Sequence, residues 1–242
     1  MRSLSLILPV YDDDSSVSEI IKDIDKKFRE LGLCDYELLI FLDSGSAGLT
    51  AQILSELSKD NEKIRVFDKL GNDKIGSIFA AGIKNSRKDF VGIWSAYSQV
   101  SVDSFDFILP AIETSDIVPS YIQNPEARQW YRTAMSKFNV FFLNMLFGLD
   151  FRYYHLCFFK TEFVKKVEIK SSFHSAMSEA IIWLAKSGAR CTEVPFIMIP
   201  HRFPSKSHAL DLRNIIDNVL HHLNLFLTIR IFRKRLELRP RN

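Results

Sequence analysis

Several things are scarce in these 242 residues, and each scarcity excludes something. There are three cysteines, Cys34, Cys157 and Cys191. The count is odd and no pair has metal-ligand spacing, so neither a disulfide framework nor a zinc site is expected. A reducing, cytoplasmic setting follows as the default. Glycine is sparse, nine residues, and none builds G-x-G-x-x-G after the first apolar run, where the turn reads Pro9-Val10-Tyr11-Asp12-Asp13-Asp14. A nicotinamide or flavin enzyme is therefore not expected, and a P-loop is absent too. No segment reaches the roughly 20 apolar residues of a membrane span. The apolar run at the N-terminus is too short for a signal peptide, and acid follows it at once. A net charge of +3 is too small to argue for nucleic acid.

What is present is an ordinary globular balance, 47% hydrophobic and 25% charged, with a surplus of 20 phenylalanines. Short apolar runs alternate with helical spacings. Strands are expected at 4–10, 37–42, 64–67 and 90–94, and helices at about 17–31, 49–58 and 75–85. Continuous apolar strands joined through helices by short links predict a mostly parallel, doubly wound sheet. In the second half, helices are expected at 105–112, from Pro125 to Phe147, at 175–187 and from 208 to 234. Strands are expected near 116–118, 154–160 and 191–199. One domain, residues 1–207, with a C-terminal appendage, 208–242, is the expected organisation.

Open α/β sheets bind ligands beyond the carboxyl ends of their strands. Phe90-Val91-Gly92-Ile93-Trp94 ends there in Ser95-Ala96-Tyr97-Ser98-Gln99, which carries hydroxyls, an amide and a phenol but no carboxylate. With the strand ends placed, the chain resembles glycosyltransferase family 2, and within it the dolichol-phosphate mannosyltransferase and polyprenyl-phosphate glycosyltransferase branch. Ile7-Leu8-Pro9-Val10-Tyr11-Asp12 is similar to that family's opening "hydrophobic-P-x-[YF]-N-E". Leu42-Asp43-Ser44-Gly45-Ser46 resembles "hydrophobic-D-D-G-S". Asn72 to Gly82 resembles "N-x-G-x-x-x-A-x-x-x-G", and Asp116-Ile117-Val118 the "D-hydrophobic-V" strand. Glu179 falls where the family has a helical Glu. Glu193-Val194-Pro195 and Arg202-Phe203-Pro204-Ser205-Lys206 resemble "E-V-P" and "R-x-G-x-S-K".

The resemblance implies a glycosyltransferase-A-like α/β fold and transfer of a sugar from a nucleotide-sugar to an acceptor. It also implies Mg²⁺ or Mn²⁺ on a D-x-D motif that neutralises the leaving diphosphate. Here D-x-D falls on Ser95-Ala96-Tyr97, so the metal ligands expected of the family are absent. The second Asp of D-D-G-S is Ser44, and the glycine ahead of the Ser-Lys pair is Pro204. The residues carried over for nucleotide and diphosphate are Pro9, Tyr11, Asp12, Asp43, Ser95, Tyr97, Arg202, Ser205 and Lys206. Glu179 is carried over as the catalytic candidate. Each has a plainer reading: Asp43 as a turn residue, Arg202 and Lys206 as a solvated loop, Asp103 and Asp106 as helix caps.

Two segments bear on partners. Residues 139–147 are strongly apolar, and the last helix carries Leu212, Ile215, Ile216, Val219, Leu223, Phe226 and Leu227 at helical spacing before a basic end with Arg230, Arg233, Lys234, Arg235, Arg239 and Arg241. They read as contacts with an anionic membrane surface or lipid phosphate, peripheral at the cytoplasmic face. The alternative reading is a core, dimer or partner-protein interface. Two functions stay open: a membrane-associated glycosyltransferase, and a catalytically inactive relative that binds or scaffolds in a glycan pathway.

Overall fold

The computed structural model describes residues 2–10, 17–42, 49–67, 74–95, 99–154, 156–200, 212–231 and 236–238. The first half alternates as its pattern predicts: β1 (Leu4–Val10), α1 (Val17–Glu30), β2 (Tyr36–Leu42), α2 (Leu49–Asp60), β3 (Ile64–Phe67), α3 (Ile75–Asn85) and β4 (Phe90–Ile93). Every residue of β1, β2 and β4 is buried, which is why these strands read as apolar runs, interrupted by Ser5 in β1 and Glu37 in β2. In α1 the buried set is Val17, Ile20, Ile21, Ile24 and Phe28, the spacing of one helix face.

The second half comprises α4 (Phe105–Thr114), β5 (Ile117–Ile122), α5 (Trp130–Phe147), β6 (Cys157–Lys160), α6 (Thr161–Val164), α7 (Ser175–Lys186), β7 (Val194–Phe196) and α8 (Leu212–Phe226). The strands form one seven-stranded sheet in the order β3-β2-β1-β4-β6-β5-β7. β1 to β4 are mutually parallel and β5 is parallel to β7, whereas β6 runs antiparallel to both of its neighbours. The expected glycosyltransferase-A-like architecture is therefore present, with one reversed strand, β6, in its interior.

Several expected boundaries move. The helix expected from Pro125 begins at Trp130, because Pro125–Ala127 closes a short 3-10 turn and Arg128 then re-extends (φ −113°, ψ 150°). It ends on Gly148, whose φ of 60° suits a residue without Cβ. The strand expected over 191–199 shortens to β7, leaving Cys191 and Met198 in isolated bridges. The last helix passes at Leu227–Ile231 into a wider π turn instead of running on as α-helix.

Helices cover both faces. α1, α2 and α4 pack on the face of Leu4, Leu6, Leu8 and Phe90. α3, α7 and the end of α5 pack on the face of Ile7, Phe41, Val91 and Phe159, and Leu225 and Ile229 of the C-terminal segment join that core. Aromatic rings meet within the first of these cores: Phe105 lies 4.3 Å from the Trp94 ring in a stacked pair and 4.7 Å from Phe28 edge-on.

Candidate functional site

The sheet reverses its strand order between β1 and β4, and a crevice at the carboxyl ends is expected at such a point. Pro9 helps to make it. Ile7 O accepts from Trp94 N at 2.8 Å, so Ile7 turns its backbone polar groups toward β4. Pro9, two residues on and on the same side of the strand, has no N–H for the next rung. The ladder between β1 and β4 therefore ends at Trp94. The indole is buried against Phe105, and the chain emerges at Ser95, which is half-buried.

Of the residues that the sequence nominates, Pro9, Ser95 and Glu179 are described. Tyr11, Asp12, Asp43, Tyr97, Arg202, Ser205 and Lys206 lie outside the described residues. In the chain, Tyr11 follows directly on β1, Asp43 on β2, and Ala96-Tyr97 on Ser95.

The donor set among the described residues does not fit Mg²⁺ or Mn²⁺, which favour several carboxylate or carbonyl oxygens. The end of β4 offers a serine hydroxyl. Asp103 and Asp106, the nearest later carboxylates in the chain, are held elsewhere: Lys27 Nζ lies 3.2 Å from Asp103 Oδ1 and 2.8 Å from Asp106 Oδ2. Asp103 also accepts from Ser101 Oγ at 3.0 Å, and these hydrogen bonds hold its carboxyl below its ordinary value. Among the described residues, no three Asp, Glu, His or Cys side chains come together as a metal site would need.

Glu179 sits in α7 with 1% of its surface exposed, in the interior rather than at the helix rim. Its Oε2 accepts from the backbone amides of Lys170 and Ser171 at 3.0 and 3.1 Å. The same oxygen lies 3.1 Å from His221 Nε2 of α8, which is buried and not aligned for a hydrogen bond. The 170–173 segment in turn abuts the start of α3, where Gly76 N donates to Ser172 O at 2.9 Å. A Cβ on Gly76 would sit 2.5 Å from Phe173 O, so only glycine allows this approach. α3 follows β3, so its start belongs to the carboxyl edge of the sheet. Glu179 thus joins α7, α8 and a strap over that edge.

His221 and His222 were not singled out by sequence reasoning. The adjacent pair in an apolar helix was the available signal, but it did not name a partner. His222 is buried, with its Nδ1 2.7 Å from Asn218 O and its Nε2 2.8 Å from Ser178 Oγ. Burial pushes its pKa down to about 4, so the native ring is neutral at pH 7. A neutral ring with Nδ1–H donating to Asn218 O accepts the Ser178 hydroxyl at Nε2.

α5 and α8 show a second feature. Apolar side chains of α5 point outward: Trp130 is 81% exposed, Phe138 71%, Phe141 64% and Met145 64%, while Leu143 and Phe147 are its only fully buried side chains. On α8, Ile216, Val219, Leu220 and Leu223 are exposed as well. The helices meet near Phe147 and Phe226, whose rings lie 6.2 Å apart. α5 carries Arg132 and Lys137 and no acidic residue. Among the described residues, no helix is long and apolar enough to cross a membrane.

Comparison with known proteins places this geometry. A family model described as glycosyl transferase family 2 matches residues 5–168. Among solved structures, the glucosyl-3-phosphoglycerate synthase of Mycobacterium tuberculosis with Mn²⁺, UDP and phosphoglyceric acid is 15% identical with a TM-score of 0.67, covering 91% of this chain and 78% of that one. The same synthase with UDP is 14% identical with a TM-score of 0.67, over 94% and 79% of the two chains. With Mg²⁺ and UDP the figures are 14%, 0.66, 92% and 80%. At these identities the likeness is one of fold.

Proposed function

The chain belongs to glycosyltransferase family 2, and from that membership we propose that it transfers a sugar from a nucleotide-sugar to a polyprenyl phosphate at an anionic membrane surface. The observation that carries the membrane part is the outward apolar face of α5 and α8, flanked by Arg132 and Lys137 without an acidic residue on α5. The nucleotide-sugar part rests on the family and on the reversal of strand order between β1 and β4, beside Pro9 and Ser95. UDP in the similar synthase structures supports the donor class.

In this reading Asp43 holds the base or ribose, with Tyr11, Asp12 and Tyr97 around the nucleotide. Arg202 grips the diphosphate as a fork, Lys206 adds a point charge, and Ser205 donates beside them. An acceptor phosphate oxygen forms a bond to the anomeric carbon. The bond from that carbon to the diphosphate oxygen breaks, and the nucleoside diphosphate leaves with the electron pair. A phosphate monoester has its second pKa at about 6 and is already ionised at neutral pH. Such a nucleophile needs no general base, which agrees with a Glu179 buried against two amides and His221. We assign Glu179 to positioning the 170–173 strap beside the acceptor.

A second reading, a non-catalytic relative that binds or scaffolds at the membrane, is favoured by one observation. At the end of β4, where the motif resemblance would put a metal carboxylate, the chain has Ser95, and Asp103 and Asp106 are paired with Lys27. The test is calorimetric titration with UDP, GDP and their sugar conjugates, followed by transfer of labelled sugar to polyprenyl phosphate in anionic vesicles. Transfer that falls sharply in Lys206→Ala supports the first reading. Nucleotide binding without transfer supports the second. Absence of both refutes any nucleotide-sugar role.

A further inference from the structure

At the opposite edge of the sheet, away from the crevice, the chain builds a second polar site. Arg2 lies two residues before β1, residues 87–89 precede β4, and Lys160 closes β6. β6 is antiparallel to β4, so its last residue pairs with the first of β4, Phe90 with Lys160. The reversed strand thus delivers its carboxyl end to the amino edge of the parallel strands. A cleft of about 560 Å³ opens there. Along β1 the two edges are separated by about 23 Å, seven residues at roughly 3.3 Å each.

The lining is unbalanced in charge. Arg2, Arg87, Lys88, Lys160 and Lys165 face it against Asp89 and Glu162. Part of this charge is already matched: Lys88 pairs with Asp35, and Lys160 Nζ lies 2.5 Å from Glu162 Oε1. Lys165 Nζ donates to a neutral carbonyl, Ser86 O, at 2.7 Å. Asp89 turns one oxygen toward the start of β1, where it accepts from Ser3 N at 3.1 Å.

Among the described residues, two lining side chains have buried donors with nothing to accept from them. Thr161 is 7% exposed and its Oγ1 makes no hydrogen bond. The Arg2 guanidinium lies over the Phe90 ring, 5.3 Å from its centroid, and its buried Nη1 makes none either. Buried polar groups without partners are uncommon, and each costs stability until something satisfies it. A hydroxyl and one guanidinium nitrogen, both unsatisfied among the described residues beside a cleft with excess positive charge, lack the same thing: an anion with several acceptor oxygens.

We propose that this cleft binds a phosphate-bearing small molecule. Arg2 and Thr161 donate to its phosphate oxygens, and Arg87 and Lys165 supply charge from the rim. The volume is in the range of small-molecule pockets and exceeds what a bare phosphate fills. The site shares no residue with the nucleotide crevice, so it stands or falls independently of the function proposed above.

The test is calorimetric titration of the full chain with inorganic pyrophosphate, with the nucleotide crevice kept filled by excess UDP. The expected result is saturable one-to-one binding, weakened tenfold or more by Arg2→Met. Thr161→Val keeps the side-chain volume, removes the hydroxyl, and is expected to weaken binding severalfold. Arg202→Ala with Lys206→Ala, at the other edge, leaves it unchanged. Arg87→Met, at an exposed position, guards against misfolding of the buried variants and is expected to weaken binding at an unaltered melting temperature. Absence of saturable binding overturns the proposal, as does binding indifferent to Arg2→Met, Thr161→Val and Arg87→Met together.

Discussion

Replacing Phe138 and Phe141 together by serine tests the outward face of α5 directly. The rings are 71% and 64% exposed, so each has most of its surface available to bury in a lipid interface. Full burial of such a side chain is worth about 1.5–3 kcal/mol, and the exposed fraction here leaves about 1–2 kcal/mol per ring. The pair is thus worth about 2–4 kcal/mol, or roughly 30- to 700-fold in membrane partitioning. The assay is co-sedimentation with vesicles one third anionic, beside vesicles of neutral lipid alone. Lys137→Gln adds a charge arm: a basic residue near an anionic surface contributes about 1 kcal/mol, so its loss is expected to cost roughly fivefold on anionic vesicles and little on neutral ones. Because both rings are exposed, the double variant should melt within a degree or two of the parent. The reasoning fails if the parent does not sediment with anionic vesicles, or if the double variant sediments equally well. A parent that is a dimer in light scattering and a double variant that is a monomer, with no vesicle binding by either, would reassign the face to a second copy of the chain.

Three further outcomes follow from the interior. Glu37 is buried, with Ser5 Oγ at 2.6 Å, Arg65 Nη1 at 2.8 Å and Arg87 N at 2.7 Å. Burial alone would raise its pKa, but the hydrogen bonds from Ser5, Arg65 and Arg87 outweigh burial and lower it. Arg65→Met strands that carboxylate and is expected to cost about 3 kcal/mol in urea unfolding, with part of the loss recovered by adding Glu37→Gln. Gly92→Ala places a Cβ 2.3 Å from Phe158 Cδ1 in a packed aromatic cluster. It should cost about 1–3 kcal/mol, read as a fall in melting temperature without loss of secondary structure. His222 is neutral in the fold, with its pKa lowered from 6.5 to about 4. The stability that this contributes is complete above about pH 6.5 and is lost as pH falls toward 4, by roughly 3 kcal/mol at 1.36 per unit. His221 and Glu179 stand beside it, so the readout is the difference from His222→Gln, whose melting temperature should fall less over the same range.

The first half of the fold was legible almost to the residue. β1, β3 and α3 fall on their expected bounds because the strands are mostly apolar runs between turns and α3 buries one apolar face; the polar exceptions, Ser5 in β1 and Arg65 in β3, both meet Glu37. The direction of β6 was not legible, since a strand of three apolar residues and a lysine, Cys157–Lys160, carries no sign of which way it lies. Nor was the outward turn of α5: the spacing of Trp130, Phe138, Phe141 and Met145 defines a face without saying what it faces. Glu179 was found through the motif resemblance, but its partners were not, because Lys170 and Ser171 act through their amides and His221 arrives from a distant helix. Leu143 and Phe147, the residues that do anchor α5, lie in the same apolar run as the exposed ones. What separates them is the position of the sheet beneath, which local spacing does not encode.

The reversed strand also has a consequence for how the chain is made. β4 finds β1 as soon as it is synthesised, but its other side waits for β6, and the whole of α4, β5 and α5 must be made before β6 exists. Through that interval an emerging nascent chain presents β4 as an open edge of Phe90, Val91, Gly92 and Ile93, without the charges or prolines that guard permanent edges. β5, too, has no place in the sheet until β6 bridges it to β4. Assembly of the central sheet is therefore a late, non-local event, of the kind that slows folding and lengthens exposure to chaperones and aggregation. A chain truncated after α5 would retain the four parallel strands and keep that edge bare.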